Sequence, residues 1–403
     1  MILTRRAALA LIPTGVGLSA CGQSPFRKET PASIVDGLVN APTLARAPAA
    51  GFVLMRRGVV IAKEVAGDAI VGERKFTVRS PFRAASISKL ATALTALKLH
   101  EDKTLSLDRP VNEALGFSAS EARVTLRQLL SHTSGLSDPD IYWLAHPKNI
   151  RDLSGWDLTR RKQPPYGFEY CNLNYGLAAT VLESVTQRRF DRLSHDFVLK
   201  PHALDAGFNW SNVSTPKRQK GAALYRETER GWKVQTDGPE VLRKNEPTLL
   251  MEYGEDLSTY APGQNGTLFS PQGGLRASLI DLATIAARLK YASELTKPVW
   301  TLNDAESNGF HDQRYFTQFG TGVHIHPAEE SPWAGQTMWG HHGEAYGLYA
   351  GAWYLPDLDI SLSYCVTGTP ETPPARSKAH PALNTFTEPL LRAAVLAYQN
   401  RSG

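Results

Sequence analysis

Apolar runs mark out the chain. Gly51–Arg56 and Val59–Val65, split by Arg57-Gly58, read as a β-hairpin. Ahead of it, Ala32–Ala41 predicts a short helix stopped by Pro42. From Phe82 to about His100 the pattern is amphipathic, with Leu90, Ala93, Leu94 and Leu97 on one helical face, packed as core. Leu105–Leu115 reads as a turn and short helix. Val124–Leu136 reads as a helix with Leu126, Leu129 and Leu130 inward, closed by a Ser/Gly turn. Leu177–Val185 is helical, and Ser278-Leu279-Ile280-Asp281 resembles a capping box opening a helix to about Leu289.

The last third turns to β. Phe319–His326, Gln336–His342, Leu348–Leu355 and Leu358–Val366 are strand-like, with turns at Glu344–Gly347 and Pro356-Asp357; Thr385–Ala397 predicts a final helix. Strands near both ends with helices between them imply an α/β (α+β sandwich) fold: one antiparallel sheet built from both chain ends and flanked by helices. The sheet domain is expected over 46–105 and 270–403, with a mostly helical insertion over 106–269. Within that insertion 211–268 is polar, broken by Pro and Gly, and expected to cover one side of a cleft. The aromatics Tyr142, Trp143, Trp156, Tyr166 and Phe168 are candidates for a cleft wall.

Composition refines this picture. A net charge of +5 over 403 residues is small, and the absence of a basic stripe argues against nucleic acid as a partner. The first twenty residues, with Arg5-Arg6 ahead of a short apolar run, have the layout of a secretory signal, and the arginines resemble a twin-arginine export signal. Leu18-Ser19-Ala20-Cys21 resembles a lipobox, so Cys21 is the expected lipidation site, 21–45 a lipid-tethered linker, and the periplasmic side of a bacterial membrane the expected location. Cys171 and Cys365 are expected to remain unpaired.

Ser86 and Lys89 stand three apart, which on a helix brings a nucleophile and a base within reach. Ser-x-x-Lys recurs at Ser214–Lys217, in a stretch where no helix is expected, so the motif needs context. Tyr170-x-Asn172 and His341-x-Gly343 follow in order, with a decoy Tyr-x-Asn at Tyr398–Asn400. His132 and Ser134 read better as a helix-ending turn than as catalytic residues.

Together with the surrounding blocks, F-R-A-A-S-I-S-K through G-H-H-G-E-A-Y-G, these triads resemble the serine β-lactamase and penicillin-binding peptidase family, class C branch, over about residues 50 to 366. The resemblance implies that Ser86 is the nucleophile of an acyl-enzyme and that Lys89 and Tyr170 share general-base work, both pKa values being depressed for it. It implies that Asn172 binds Lys89 and a substrate amide, that backbone N–H groups of Ser86 and Glu344 form the oxyanion hole beside Gly343, and that His341 orients the substrate. No cofactor and no metal are implied. His341 stands where class C enzymes carry lysine, a pattern similar to D-Ala-D-Ala carboxypeptidases, D-amino-acid peptidases and esterases of the same fold, and a neutral imidazole grips a carboxylate less firmly. Glu344 replaces a commonly small residue and adds a carboxylate that would repel anions.

The leading expectation is therefore a serine hydrolase acting on amide or ester bonds of D-amino-acid or peptidoglycan-like peptides or small esters. Weak β-lactamase activity and a catalytically silent cell-wall-binding lipoprotein are the alternatives. A metal hydrolase built on His324, His326, His341 and His342 has less support, because H-x-H alone fits no metallohydrolase motif and exposed histidines on edge strands account for it.

Overall fold

In the structure, a computed structural model, residues 29–40, 47–116, 123–153, 167–235, 257–303 and 314–402 are described. The expected signal, the lipobox with Cys21, and Trp156 and Tyr166 lie outside them. Helix α1 (Pro31–Asn40) precedes strands β1 (Ala49–Arg56), β2 (Val59–Ile70) and β3 (Arg74–Lys75). Helices α2 (Ser88–Glu101), α3 (Leu126–Leu130), α4 (Leu173–Thr186) and α5 (Leu279–Ala287) follow. The sheet resumes with β4 (Trp300–Thr301), β5 (Gln318–Phe319), β6 (His324–His326), β7 (Met338–Ala345), β8 (Leu348–Leu355) and β9 (Ile360–Thr367), and α6 (Thr387–Ser402) ends the fold.

These nine strands form one sheet in the order β3-β2-β1-β9-β8-β7-β6-β5-β4. The two chain ends meet where β1 pairs antiparallel with β9, Ala50 opposite Val366 through Arg56 opposite Ile360. Two-residue turns set the hairpins. Arg57 (φ 50°) with Gly58 (φ 79°), and Tyr346 (φ 55°) with Gly347 (φ 74°), supply the paired positive φ angles that match strand twist. The second turn is thus shorter than the four residues expected, because β7 continues through Ala345.

β8 and β9 are buried at every position, since helices cover both faces. Phe52 and Leu54 point with Leu362 and Tyr364 into the layer of α1 and α6, while Val53 and Met55 point into the layer of α2 and α5. α2 lies deeper than its amphipathic pattern suggested. Eleven of its fourteen residues are buried, because the helical half of the molecule packs on the side that the sheet leaves open.

Other expectations shift for local reasons. Residues 105–116 form turns rather than a helix, because Val111 N–H donates to Val124 O and Pro110 bridges to Thr125. α3 has its Thr125–Gln128 capping box but stops after five residues, where His132 takes a left-handed φ of 59°. The polar stretch contains a hairpin, Leu224–Thr228 with Gly231–Gln235. It also contains a short helix, Thr215–Arg218, so the second Ser-x-x-Lys does start a helix after all. There Ser214 caps the Lys217 N–H and Lys217 Nζ holds Asp281 at 2.9 Å. Cys171 and Cys365 are both buried and free.

Candidate active site

Ser86 sits in a tight 3₁₀ turn, Ala85–Ile87, that runs straight into α2. Ala85 just before it adopts φ 47°, a left-handed conformation that an alanine holds only when its surroundings impose it. β7 imposes it from one side: a Cβ on Gly343 would stand 2.6 Å from the Ala84 carbonyl oxygen and 3.1 Å from Ile87 Cγ1. A glycine at 343 is what lets the sheet approach the serine turn this closely.

Lys89, one turn on, is fully buried. Its Nζ lies 3.0 Å from Ser86 Oγ, 2.9 Å from Asn172 Oδ1 and 3.2 Å from the Gln272 carbonyl oxygen. It also lies over the Tyr170 and Tyr175 rings, at 4.7 and 5.1 Å. Burial lowers its pKa to about 7, with the Asp138 carboxylate opposing. Near neutral pH the neutral, proton-accepting amine is therefore accessible.

The Tyr170 hydroxyl donates to Ser86 Oγ at 2.8 Å. Contrary to the expected depression, burial raises the Tyr170 pKa, and the hydrogen bond to Ser86 only partly opposes that rise. The raised pKa favours the neutral phenol, which can pass a proton, over a phenolate base. Its ring is clamped between His132 (centroids 4.3 Å apart) and Phe316 (5.2 Å). His132 Nδ1 accepts from the Cys171 N–H at 3.0 Å, and Ser134 Oγ donates to Asn174 Oδ1 at 2.9 Å. The helix-ending turn thus also fixes the Tyr170–Asn172 segment.

Asp138 is a residue that motif reading missed. Its carboxylate accepts from Asn172 Nδ2 at 3.0 Å and from the Leu173 N–H at 2.8 Å, at the start of α4, and so aims Asn172 Oδ1 at Lys89. No sequence spacing signals it; an aspartate in a Ser/Pro/Asp loop looks like any turn residue.

His341 reaches the same cleft from β7. Its Nδ1 lies 2.6 Å from the His342 carbonyl oxygen. A carbonyl only accepts, so Nδ1 carries the hydrogen and Nε2 is left with a lone pair. Burial, then the charge on Lys89, lowers the His341 pKa to about 3. Glu344 is exposed, and its carboxylate accepts from Tyr349 Oη at 2.9 Å. The cleft holds about 490 Å³ and is lined by Ser86, Tyr170, Asn172, His341, Glu344 and Gly273, among others. Carboxylates (Glu169, Glu344) and guanidiniums (Arg83, Arg376) both face it, so it offers partners to either end of a zwitterion.

The decoys fall elsewhere, Ser214–Lys217 against α5 and Tyr398–Asn400 on α6. The remaining histidine expectation is corrected. His324, His326, His341 and His342 are buried, and β6 and β7 are interior strands rather than edges.

A family model described as Beta-lactamase matches residues 37–385. The chain belongs to that family and has the serine-hydrolase fold of its members. Among solved structures, the D-amino acid amidase from Ochrobactrum anthropi SV3, complexed with L-phenylalanine amide, superposes with a TM-score of 0.66 at 18% identity. That match covers 93% of this chain and 98% of the amidase. A D-stereospecific amidohydrolase from Streptomyces sp. gives 0.56 at 19% identity over 84% and 94%, and the octameric penicillin-binding protein homologue from Pyrococcus abyssi gives 0.60 at 18% over 88% and 73%. Protein flp of Staphylococcus aureus (strain COL) is 26% identical over 195 residues, 45% of this chain and 39% of flp. FimD of Dichelobacter nodosus serogroup D is 29% identical over 151 residues, 34% of this chain and 38% of FimD. The chain thus spans well under half the length of these two curated relatives.

Proposed function

We propose that the chain is a serine acyl hydrolase that cleaves amide or ester bonds of D-amino-acid derivatives. The observation that carries this reading is one oxygen, Ser86 Oγ, held 3.0 Å from a buried lysine amine and 2.8 Å from a buried phenol. Neutral Lys89 takes the Ser86 proton as Oγ bonds to the substrate carbonyl carbon. The oxyanion is met by the backbone N–H groups of Ser86 and Glu344. As the C–N or C–O bond breaks, the proton passes through Tyr170 to the leaving group, and water then releases the acyl group and restores the Ser86 hydroxyl. Asn172 positions Lys89 and a substrate amide.

Amidase neighbours, together with the mixed-charge cleft, support D-amino-acid amides or short peptides over β-lactams. Fluorophosphonate labelling of Ser86 that vanishes in Ser86→Ala, with turnover of D-phenylalanine amide exceeding that of nitrocefin, is the expected outcome. Label persisting in Ser86→Ala refutes the nucleophile, and labelling without turnover of any amide, ester or β-lactam favours a silent binding protein. The lipobox pattern supports a further reading, a lipid tether on Cys21 at the periplasmic face. Palmitate incorporation lost in Cys21→Ser tests it, and unchanged incorporation refutes it.

A further inference from the structure

Behind the cleft, four buried imidazole nitrogens make no hydrogen bond to any group among the described residues: Nδ1 and Nε2 of His324, Nε2 of His326 and Nε2 of His342. The sheet register gathers them. His324 lies opposite Gly340 and His326 opposite Met338, so His342, two residues beyond Gly340, shares their face. His341 and Gly343 occupy the other face, toward the Ser86 turn. Ring centroids of His324 stand 4.2 Å from His326 and 5.3 Å from His342, and His326 stands 5.7 Å from His342. One ring nitrogen from each of the three lies within 4.8 Å of the other two. Trp353 packs against all three rings, 4.6 to 5.6 Å away.

Packing alone is a poor reason for this arrangement. Leucine or phenylalanine would fill the space without burying unpaired polar atoms, which is costly. A neutral imidazole is the form that binds metals.

We propose that His324, His326 and His342 form a three-imidazole site for a first-row divalent cation, with zinc(II) as the best-fitting ion. The charged and titratable groups outside the cluster whose fields reach it, Arg376 at His342, His380 at His326 and His341 at both His324 and His342, are none of them anionic. Attraction between full charges therefore does not hold the ion. Bonding to imidazole nitrogen does, which selects zinc-like metals over magnesium or calcium. Among the described residues no fourth His, Cys, Asp or Glu joins the cluster. His342 also lines the cleft with Tyr315, so the fourth ligand comes from that side, a water or a donor atom of the substrate. Bound there, the ion clips β6 to β7 directly behind His341 and Gly343. The site is independent of the acylation reading, and either can fail without the other.

Chelator-treated full-length protein is titrated with Co²⁺ and then Zn²⁺. The expected result is one Co²⁺ per chain with the visible ligand-field bands of low coordination, displaced by one Zn²⁺. X-ray absorption of the zinc form should count three imidazoles. His324→Gln with His342→Gln should weaken binding by more than about 100-fold, since changes to groups that merely support ligands already cost about 10- to 100-fold. Absence of stoichiometric binding, fewer than three imidazoles, or undiminished affinity in a folded double variant overturns the proposal. Should the double variant fail to fold by circular dichroism, the imidazole count on the wild-type protein decides.

Discussion

Replacing Lys89 by methionine separates what the lysine does for chemistry from what it costs the fold. The folded pKa of about 7 lies below the ordinary 10.5 of an unfolded lysine. Between these values the unfolded chain binds more protons than the folded one, so stability rises with pH through that window. Below pH 7 the full penalty is present, roughly 4–5 kcal/mol at about 1.36 kcal/mol per pH unit, and it fades as pH approaches 10.5. Methionine removes this penalty but leaves Asn172 Oδ1 and the Gln272 carbonyl without their donor, a loss of about 1–3 kcal/mol each that does not vary with pH.

The sign at any one pH is thus a near balance, and the slope is diagnostic. From pH 6 to pH 9 the stability of Lys89→Met relative to wild type should fall by about 2–3 kcal/mol. Urea unfolding of both proteins at several pH values measures it. Over the same range the rate of fluorophosphonate labelling in wild type should climb by about tenfold in all and level off above pH 8, and the variant should be slower by about 10²- to 10⁴-fold. If the stability of Lys89→Met relative to wild type stayed flat or rose with pH, Lys89 would not fold with a depressed pKa, and the general-base argument would fall with it.

Further outcomes follow from the same geometry. Tyr170→Phe keeps the ring clamped by His132 and Phe316 but loses the donor to Ser86; labelling and turnover should drop by about 10²- to 10⁴-fold with the melting temperature nearly unchanged, and a retained rate would remove Tyr170 from the proton path. Gly343→Ala drives a Cβ to 2.6 Å from Ala84 O and should cost about 1–3 kcal/mol in thermal unfolding while slowing labelling of Ser86; if neither changes, β7 yields more freely than its packing indicates.

Much of this was readable in one dimension because it depends on near neighbours. The Arg57-Gly58 turn, the capping box at Ser278, and the three-residue step from Ser86 to Lys89 are local rules, and the structure keeps them. So did the order of the motif blocks, which reported the fold. Even the local errors are informative. The helix expected in 105–115 gave way to pairing with residues 124–125, and the second Ser-x-x-Lys, judged unfit to start a helix, caps one.

What only the tertiary structure decided is which distant groups share a small, dry volume. Asp138 became the anchor of Asn172, and the Gln272 carbonyl a partner of Lys89, through contacts 34 and 183 residues apart in the chain. Desolvation, set by every element packed around a group, lowered Lys89 to about 7 and raised Tyr170, where sequence reasoning had both falling. It also buried His324, His326 and His342, expected on exposed edges, because β6 and β7 lie inside a nine-stranded sheet whose order no periodicity encodes. Sequence alone determined the candidate catalytic residue types and their local spacing. Long-range pairing decided their protonation, their partners and the second cluster behind them, because burial is a property of the whole fold.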